Sequence, residues 1–284
     1  MAVIARLCLV LALLIGSAVP ARATTPDEPV QVPPQSLRII GQGVVSEILK
    51  PDLIRLETGS IYVLDNIRVP TLYSDQALAW LDANLLGKQA ILYASPDLGD
   101  AARDRMGNSF AHAVIDGTPP RWVQGEMVAQ GLAWADSTVT NRSLIAELLA
   151  IEDKARTAAQ GFWANPGMAV RNVDDIGSSR NEFMVVTGSA MSAADKKSVF
   201  FANYGKDWKT DFTLSLTKQN SRNFPTGFSM EMLKDAPVRV RGWVFEKNGP
   251  MIELTHPEQI EFLPAASEQT PSAATPAPDG KPAP

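Results

Sequence analysis

Residues 107–135 read GNSFAHAVIDGTPPRWVQGEMVAQGLAWA. Gly107-Asn108 makes a turn, and Phe110, His112, Val114 and Ile115 follow it as a strand rich in aromatic and β-branched residues. After Gly117 and two prolines the period changes, and WVQGEMVAQGLA (122–133) carries its apolar residues at helical spacing. His112 is one of only two histidines in the chain. It alternates with Phe110 and Val114, so all three can share one strand face. Two uses are open to it: a buried histidine hydrogen-bonded to backbone, or a ligand or acid/base group.

Upstream, LRIIGQGVVSEIL (37–49), DLIRLE (52–57), SIYVLDNIRV (60–69) and KQAILYA (88–94) read as four strands, and SFAHAVI (109–115) is the fifth. SDQALAWLDANLLGK (74–88) offers Ser74 as a cap and Leu78, Leu81 and Leu85 as an apolar face, so it predicts a helix between strands three and four. A further helix is predicted over about 142–160, with Leu144, Leu148, Ile151 and Ala155 on one side. Five strands with about three helices packed over one side describe an OB-type barrel of the α+β class. A second set follows: EFMVVTGSAM (182–191), SVFFANYG (198–205), DFTLSLT (211–217), PVRVRGWVFE (237–246) and MIELT (251–255), with GFSMEMLKD (227–235) as a short helix. The expected fold is therefore two OB-type five-stranded barrels in tandem.

The stretches DLIRLETGSIYVLDNIRVP, DRMGNSFAHAVI, WVQGEMVAQGLAWA and LLAIEDKARTAAQGFW together resemble the staphylococcal nuclease-like, or thermonuclease, family over residues 37–163. The resemblance implies the family's barrel. It also implies a phosphodiester-cleaving site in which two arginines meet the charge of the transition state, a glutamate activates water, and aspartates hold calcium. In VLDNIRVPT, Val63 stands where the first arginine would be, Arg68 where a calcium aspartate would be, and Thr71 where the glutamate would be. Asn108 replaces the second arginine, and only Asp52 matches a metal aspartate. Losing one pre-organised charge contact typically costs about 10²–10³ in rate, so the family's site reads as dismantled. No catalytic residue or cofactor is then expected, and the first domain binds or scaffolds. The alternative is an active metal-dependent phosphodiesterase with a rearranged site around Asp52, Arg68 and His112, using calcium.

Asp65, Arg68, Asp97, Asp100, Asp104 and His112 can also be read as a carboxylate–histidine cluster, although their spacing matches no known ligand pattern. For Arg68 the readings are an internal salt bridge, for which Asp52 is a candidate, or an anion-receiving cation. His256, before a proline, reads as structural.

The chain opens MAVIARLCLVLALLIGSAVPARA, with an apolar run from Leu7 to Ile15 and a small-x-small site at Ala21-Arg22-Ala23. That pattern predicts a signal peptide over 1–23, too short to remain as a membrane anchor, and a soluble protein in the periplasm or secreted beyond it. The only cysteine, Cys8, falls within it, so the mature chain is expected to have no disulfide or thiol nucleophile. Residues 24–36 and 264–284 are Pro-rich and polar, expected to be disordered. RNVDDIGSSRNE contributes a linker over 171–181 between domains at 37–170 and 182–263.

Without the leader the chain holds 24 basic and 31 acidic residues, the wrong sign for unspecific attraction to phosphate backbones. The excess is confined to the first half: residues 24–179 hold 12 Lys/Arg against 19 Asp/Glu, and residues 180–263 hold 11 against 10. Polyanion binding therefore belongs to the second half. There Tyr204, Lys206, Trp208, Lys209, Lys218 and Arg222 interleave aromatics with cations, as single-strand-binding barrels do. The stretch resembles OB-type modules appended to some exported bacterial nucleases. Single-stranded nucleic acid and an envelope protein are the two partners left open.

Overall fold

A computed structural model describes residues 37–95, 97–98, 103–177 and 181–264. The leader, the polar lead, the tail beyond Pro264 and Asp100 lie outside the described residues.

The first unit contains β1 (Arg38–Lys50), β2 (Leu53–Leu56), β3 (Ile61–Leu64), β4 (Ile67–Arg68), α1 (Ser74–Asn84), β5 (Gln89–Ala94), β6 (Ser109–Ile115), β7 (Arg121–Trp122), α2 (Val123–Ala129), β8 (Trp134–Ala135) and α3 (Ile145–Thr157). β1 is long enough to serve two neighbours: its first half pairs with β5 and its second half with β2. β2 pairs with β3, β3 runs parallel to β6, and β6 returns to β5, which closes five strands into a ring. β2 and β3 alternate between half-buried and buried residues, sending Ile54, Leu56, Tyr62 and Leu64 inward. Leu81 and Leu85 at the α1 end, Met127 and Val128 of α2 and Leu148 of α3 complete the core from outside the ring.

β6 breaks that alternation, because Ala111 to Ile115 are all buried. Ala111, Ala113 and Ile115 belong to the core, so His112 and Val114 take the opposite face. The α2 end is fixed by two glycines in left-handed conformation, Gly131 (φ 61°) and Gly161 (φ 53°). A Cβ on Gly131 would stand 2.1 Å from the Gln160 carbonyl oxygen, and one on Gly161 would stand 2.3 Å from that of Gln130. The Gly-Leu-Ala segment is thus the place where two backbones touch.

The second unit contains β10 (Glu182–Ser189), β11 (Ser192–Lys196), β12 (Val199–Asn203), β13 (Thr213–Thr217), β14 (Pro237–Glu246), β15 (Pro250–Leu254) and β16 (Ile260–Phe262), preceded by β9 (Arg171–Asn172). They form one eight-stranded sheet with the path β11-β12-β13-β15-β14-β10-β9, and β16 pairs with β14. The β13–β15 pair is parallel. β10 and β11 are consecutive in the chain, separated by Ala190-Met191, and occupy the places that the two halves of β1 hold in the first unit.

Three local expectations are corrected. Ser74 does not cap α1: the turn Thr71–Tyr73 runs straight into the helix, and the Ser74 amide donates to the Thr71 carbonyl within it. The GFSMEMLKD segment forms only a 3-10 turn, Met230–Leu233, whose two ends are buried in the second core. The segment taken as a linker is folded through Gly177: β9 lies parallel to β10, Asn172 caps the next turn, and Ile176 is buried.

The two units share a core. Trp134, Ala155, Phe162 and Trp163 of the first pack with Phe183 and Val185 of β10, and the Trp134 ring lies 5.2 Å from that of Phe183. Beside this cluster Arg241 of β14 is buried. Its guanidinium donates to both carboxylate oxygens of Glu152 on α3 (2.9 and 3.1 Å), to the Ala135 carbonyl (2.8 Å) and to Glu261 (2.6 Å). Glu152 accepts in addition from the Ala135 amide at 2.8 Å. Breaking a buried ion pair from one side strands the other charge, at about 3–5 kcal/mol. Arg241→Met is accordingly expected to cost about 3–5 kcal/mol in urea denaturation, and Arg241→Met with Glu152→Leu to cost less than the single change. A single change within 0.5 kcal/mol of the parent, on the order of a neutral surface substitution, would show that the pair does not hold the units together.

Candidate functional site

Several residues singled out in the first unit are engaged within the fold. Val63 lies on β3, opposite Leu53 of β2 and Phe110 of β6. Arg68 donates through Nε (2.7 Å) to Asp136, with its Nη2 2.6 Å from the same oxygen. Its guanidinium carbon stands 5.1 Å from the Phe183 ring centre and 5.0 Å from that of Trp243, both on the second unit. The salt bridge is thus to Asp136 and not to Asp52. Thr71 opens the turn before α1 and is exposed. Asn108 donates from its amide nitrogen and its side chain to Asp104 (2.9 and 2.8 Å), and the side-chain bond foremost holds that carboxyl below its ordinary range. The Asp52 carbonyl accepts from Leu64.

His112 lies fully buried, with Nε2 3.3 Å from the Ser95 hydroxyl and its ring against Trp122. Its partner is a side chain and not the backbone, and its buried Nδ1 has none among the described residues. Burial pushes its pKa down to about 3, so the ring is neutral. Asp97 accepts from the Arg142 amide at 3.0 Å. Asp65, bonded to Asn66 and Asn141, lies near the Arg68–Asp136 pair, whereas Asp97, Asp104 and His112 are each engaged with other groups. Among the described residues no group of three or more His, Cys, Asp or Glu is placed to hold a metal ion.

In the second unit the six residues read as a strand-binding set divide. Tyr204 is buried against Phe212 in the core, and burial pushes its hydroxyl pKa up. It cannot serve as a stacking platform: residue 204 follows β12 and faces inward, which aromatic composition alone does not reveal. Lys206, Trp208 and Lys209 are exposed on the β12–β13 loop, with Lys209 Nζ 5.8 Å from the indole centre. Lys218 and Arg222 are exposed after β13. Trp208, half exposed at 53%, lines a cavity of about 370 Å³ with Lys196, Phe201, Asn203, Lys247 and Met251. Sheet register assembles it: Asn203 pairs with Thr213 and Thr213 with Met251, while Ala194 pairs with Phe201. The sequence signal for Lys247 was the hairpin Lys247-Asn248-Gly249, whose Asn248 (φ 55°) and Gly249 (φ 89°) turn β14 into β15.

Residues 64–165 match the family of staphylococcal nuclease homologues. The first unit carries a staphylococcal nuclease-like domain. No curated protein matches the chain. The match begins at the end of β3, and β1 and β2 complete the ring ahead of it.

Within the nuclease-like domain, Asp65 has the most unusual environment. Burial pushes its pKa up to about 6, against opposing hydrogen bonds from the Asn66 amide and the Asn141 side chain, and Asp136 adds repulsion. A carboxyl raised in the folded state contributes stability that is fully present below its unfolded value near 4 and is lost as pH rises through 6. Asp65→Asn should therefore gain on the parent by up to about 3 kcal/mol between pH 4 and pH 7. Chemical denaturation at those two pH values reads the difference, and parallel pH profiles for parent and variant would refute the assignment.

Proposed function

We propose that the chain is an exported strand-binding protein whose nuclease-like domain does not cut. The observation that carries this reading is Arg68. Where the family resemblance implies a calcium-holding carboxylate there is a guanidinium, paired with Asp136 and flanked by Phe183 and Trp243. A guanidinium offers no oxygen ligand to calcium, and its pairing ties up the Asp136 carboxylate as well. Catalysis of in-line attack needs positive charge delivered to the phosphoryl oxygens; Val63 and Thr71 supply none, and Asn108 is engaged with Asp104. The binding role falls to the second unit, an OB-type barrel in this reading, because its pairing order repeats that of the first and its outer face carries Trp208 among lysines.

Export is part of the proposal, supported by the Leu7–Ile15 apolar run and the Ala21-Arg22-Ala23 site. Among the described residues no helix is long and apolar enough to cross a membrane. Amino-terminal sequencing of the protein recovered from outside the cytoplasm is expected to begin at Thr24, and recovery with the leader intact and in the cytoplasm would remove that element.

The test of the main reading is incubation of the purified protein with single-stranded DNA or RNA and calcium, magnesium or manganese. The oligonucleotide should remain full length on a denaturing gel. Metal-dependent shortening that disappears in Asp52→Asn would establish a rearranged phosphodiesterase instead.

A further inference from the structure

We infer that the cavity on the second unit is a one-nucleotide site: it takes a base of a single strand against Trp208, Phe201 and Met251, with the two flanking phosphates at Lys196 and Lys247. The inference rests on the reading of the chain as a strand-binding module and adds where, and how much of, the strand is held.

The cavity of about 370 Å³ lies near the lower end of the range of small-ligand sites, about 300–1,000 Å³. It admits one ring system and its sugar, and it is too small for a folded partner's surface. Its floor is aromatic and thioether, from Phe201 on β12 and Met251 on β15. Its wall is Trp208, a large ring left half in water with the Lys209 ammonium beside it. Such a ring gains most from a flat ligand that stacks on it, and stacking is indifferent to base identity. The side-chain amide of Asn203, whose oxygen accepts from the buried Thr213 hydroxyl at 3.3 Å, is the polar group of the lining beside these rings.

The cations select a strand over a free aromatic acid. Lys196 closes the β11–β12 hairpin, whereas Lys247 comes from the β14–β15 turn, and strands β12 and β13 lie between them in the sheet path. A single anionic ligand needs one such partner. A nucleotide inside a chain carries a phosphate on each side, and two separated ammonium groups flanking one apolar slot match that pattern. Lys218 stands near the first, since its amide donates to the Ser198 carbonyl in the same hairpin.

The complete chain after leader removal is titrated into fluorescein-labelled dT15 and followed by anisotropy at several salt concentrations. Trp208→Ala, an exposed position, should weaken binding about tenfold or more. Lys196→Ala with Lys247→Ala should weaken it and lower the slope of log affinity against log salt by about 1.4, the value for two contacts to a single strand. Lys154→Ala on the first unit should change neither. Parent-like binding by both pocket variants would overturn the site, as would displacement of dT15 by an acidic tryptophan-containing peptide at concentrations where unlabelled dT15 fails, which would make the ligand a protein. Bound dT15 recovered shortened would instead overturn the non-cutting reading, and the effect of Trp208→Ala would still decide the site.

Discussion

The Arg241–Glu152 pair is the constraint around which the two units are arranged. A guanidinium and a carboxylate removed from water must satisfy each other and their remaining hydrogen-bonding capacity, or the burial costs more than the attraction returns. Here the fork geometry does most of this: Glu152 meets Arg241 with both oxygens and also accepts from the Ala135 amide, and the two terminal nitrogens of Arg241 also reach the Ala135 carbonyl and Glu261, while its buried Nε has no partner among the described residues. Those partners come from α3, β8, β14 and β16, so the pair fixes the approach of one sheet to the other in distance and in rotation. Smaller contacts fall into place from it. Ser137 meets His256 Nε2 at 2.8 Å, and Arg142 reaches Glu258 at 3.6 Å, on the same side of the junction. His256 is held largely neutral by burial and by the nearby Arg142, with a pKa pushed down to about 4.

That arrangement has a consequence for the nuclease-like domain. With β14 docked against α3 and β8, Trp243 and its cross-strand partner Phe183 are carried to Arg68 on β4. β4 pairs with β8 two residues before Asp136, and the ion pair Arg68–Asp136 follows from that register. Arg68 is thus an element of the junction. A guanidinium suits the position because it lies 5.1 and 5.0 Å from the two ring centres while two of its nitrogens reach one carboxylate oxygen.

Much of the first unit was legible from sequence because strands such as β2 and β3 alternate cleanly and its turns are marked by Gly, Asn and Pro. The segment 122–133 announced the helix that forms over Val123–Ala129. Where the reading slipped, the missing information was tertiary. His112 does share a face with Phe110 and Val114, but its partner there is the Ser95 hydroxyl and not backbone, because β6 is covered on both sides. Residues 171–177 have no periodicity and still fold, because β9 borrows an edge of β10 for two residues and buries Ile176 by a turn. Tyr204 and Trp208 are indistinguishable by composition; their positions at a strand end and on a loop make one core and the other surface. Lys196 and Lys247 are 51 residues apart in sequence and came together only through the β13–β15 parallel pairing.

The partition of cations explains how an acidic chain can present a basic slot. The arginines that carry the structure, Arg68, Arg241 and Arg121 with Glu126, are neutralised at fixed carboxylates and contribute little field outside. The lysines at the slot are exposed, and Lys196, Lys206, Lys209 and Lys247 remain largely hydrated, so binding an anion desolvates little. Net charge then governs only the long-range approach, over about a Debye length or more, where the acidic first unit repels polyanions. At contact the local set dominates. If the slot takes a strand as proposed, a long duplex, which must bring many phosphates past the acidic half, is disfavoured against a short single-stranded segment that touches the second unit alone.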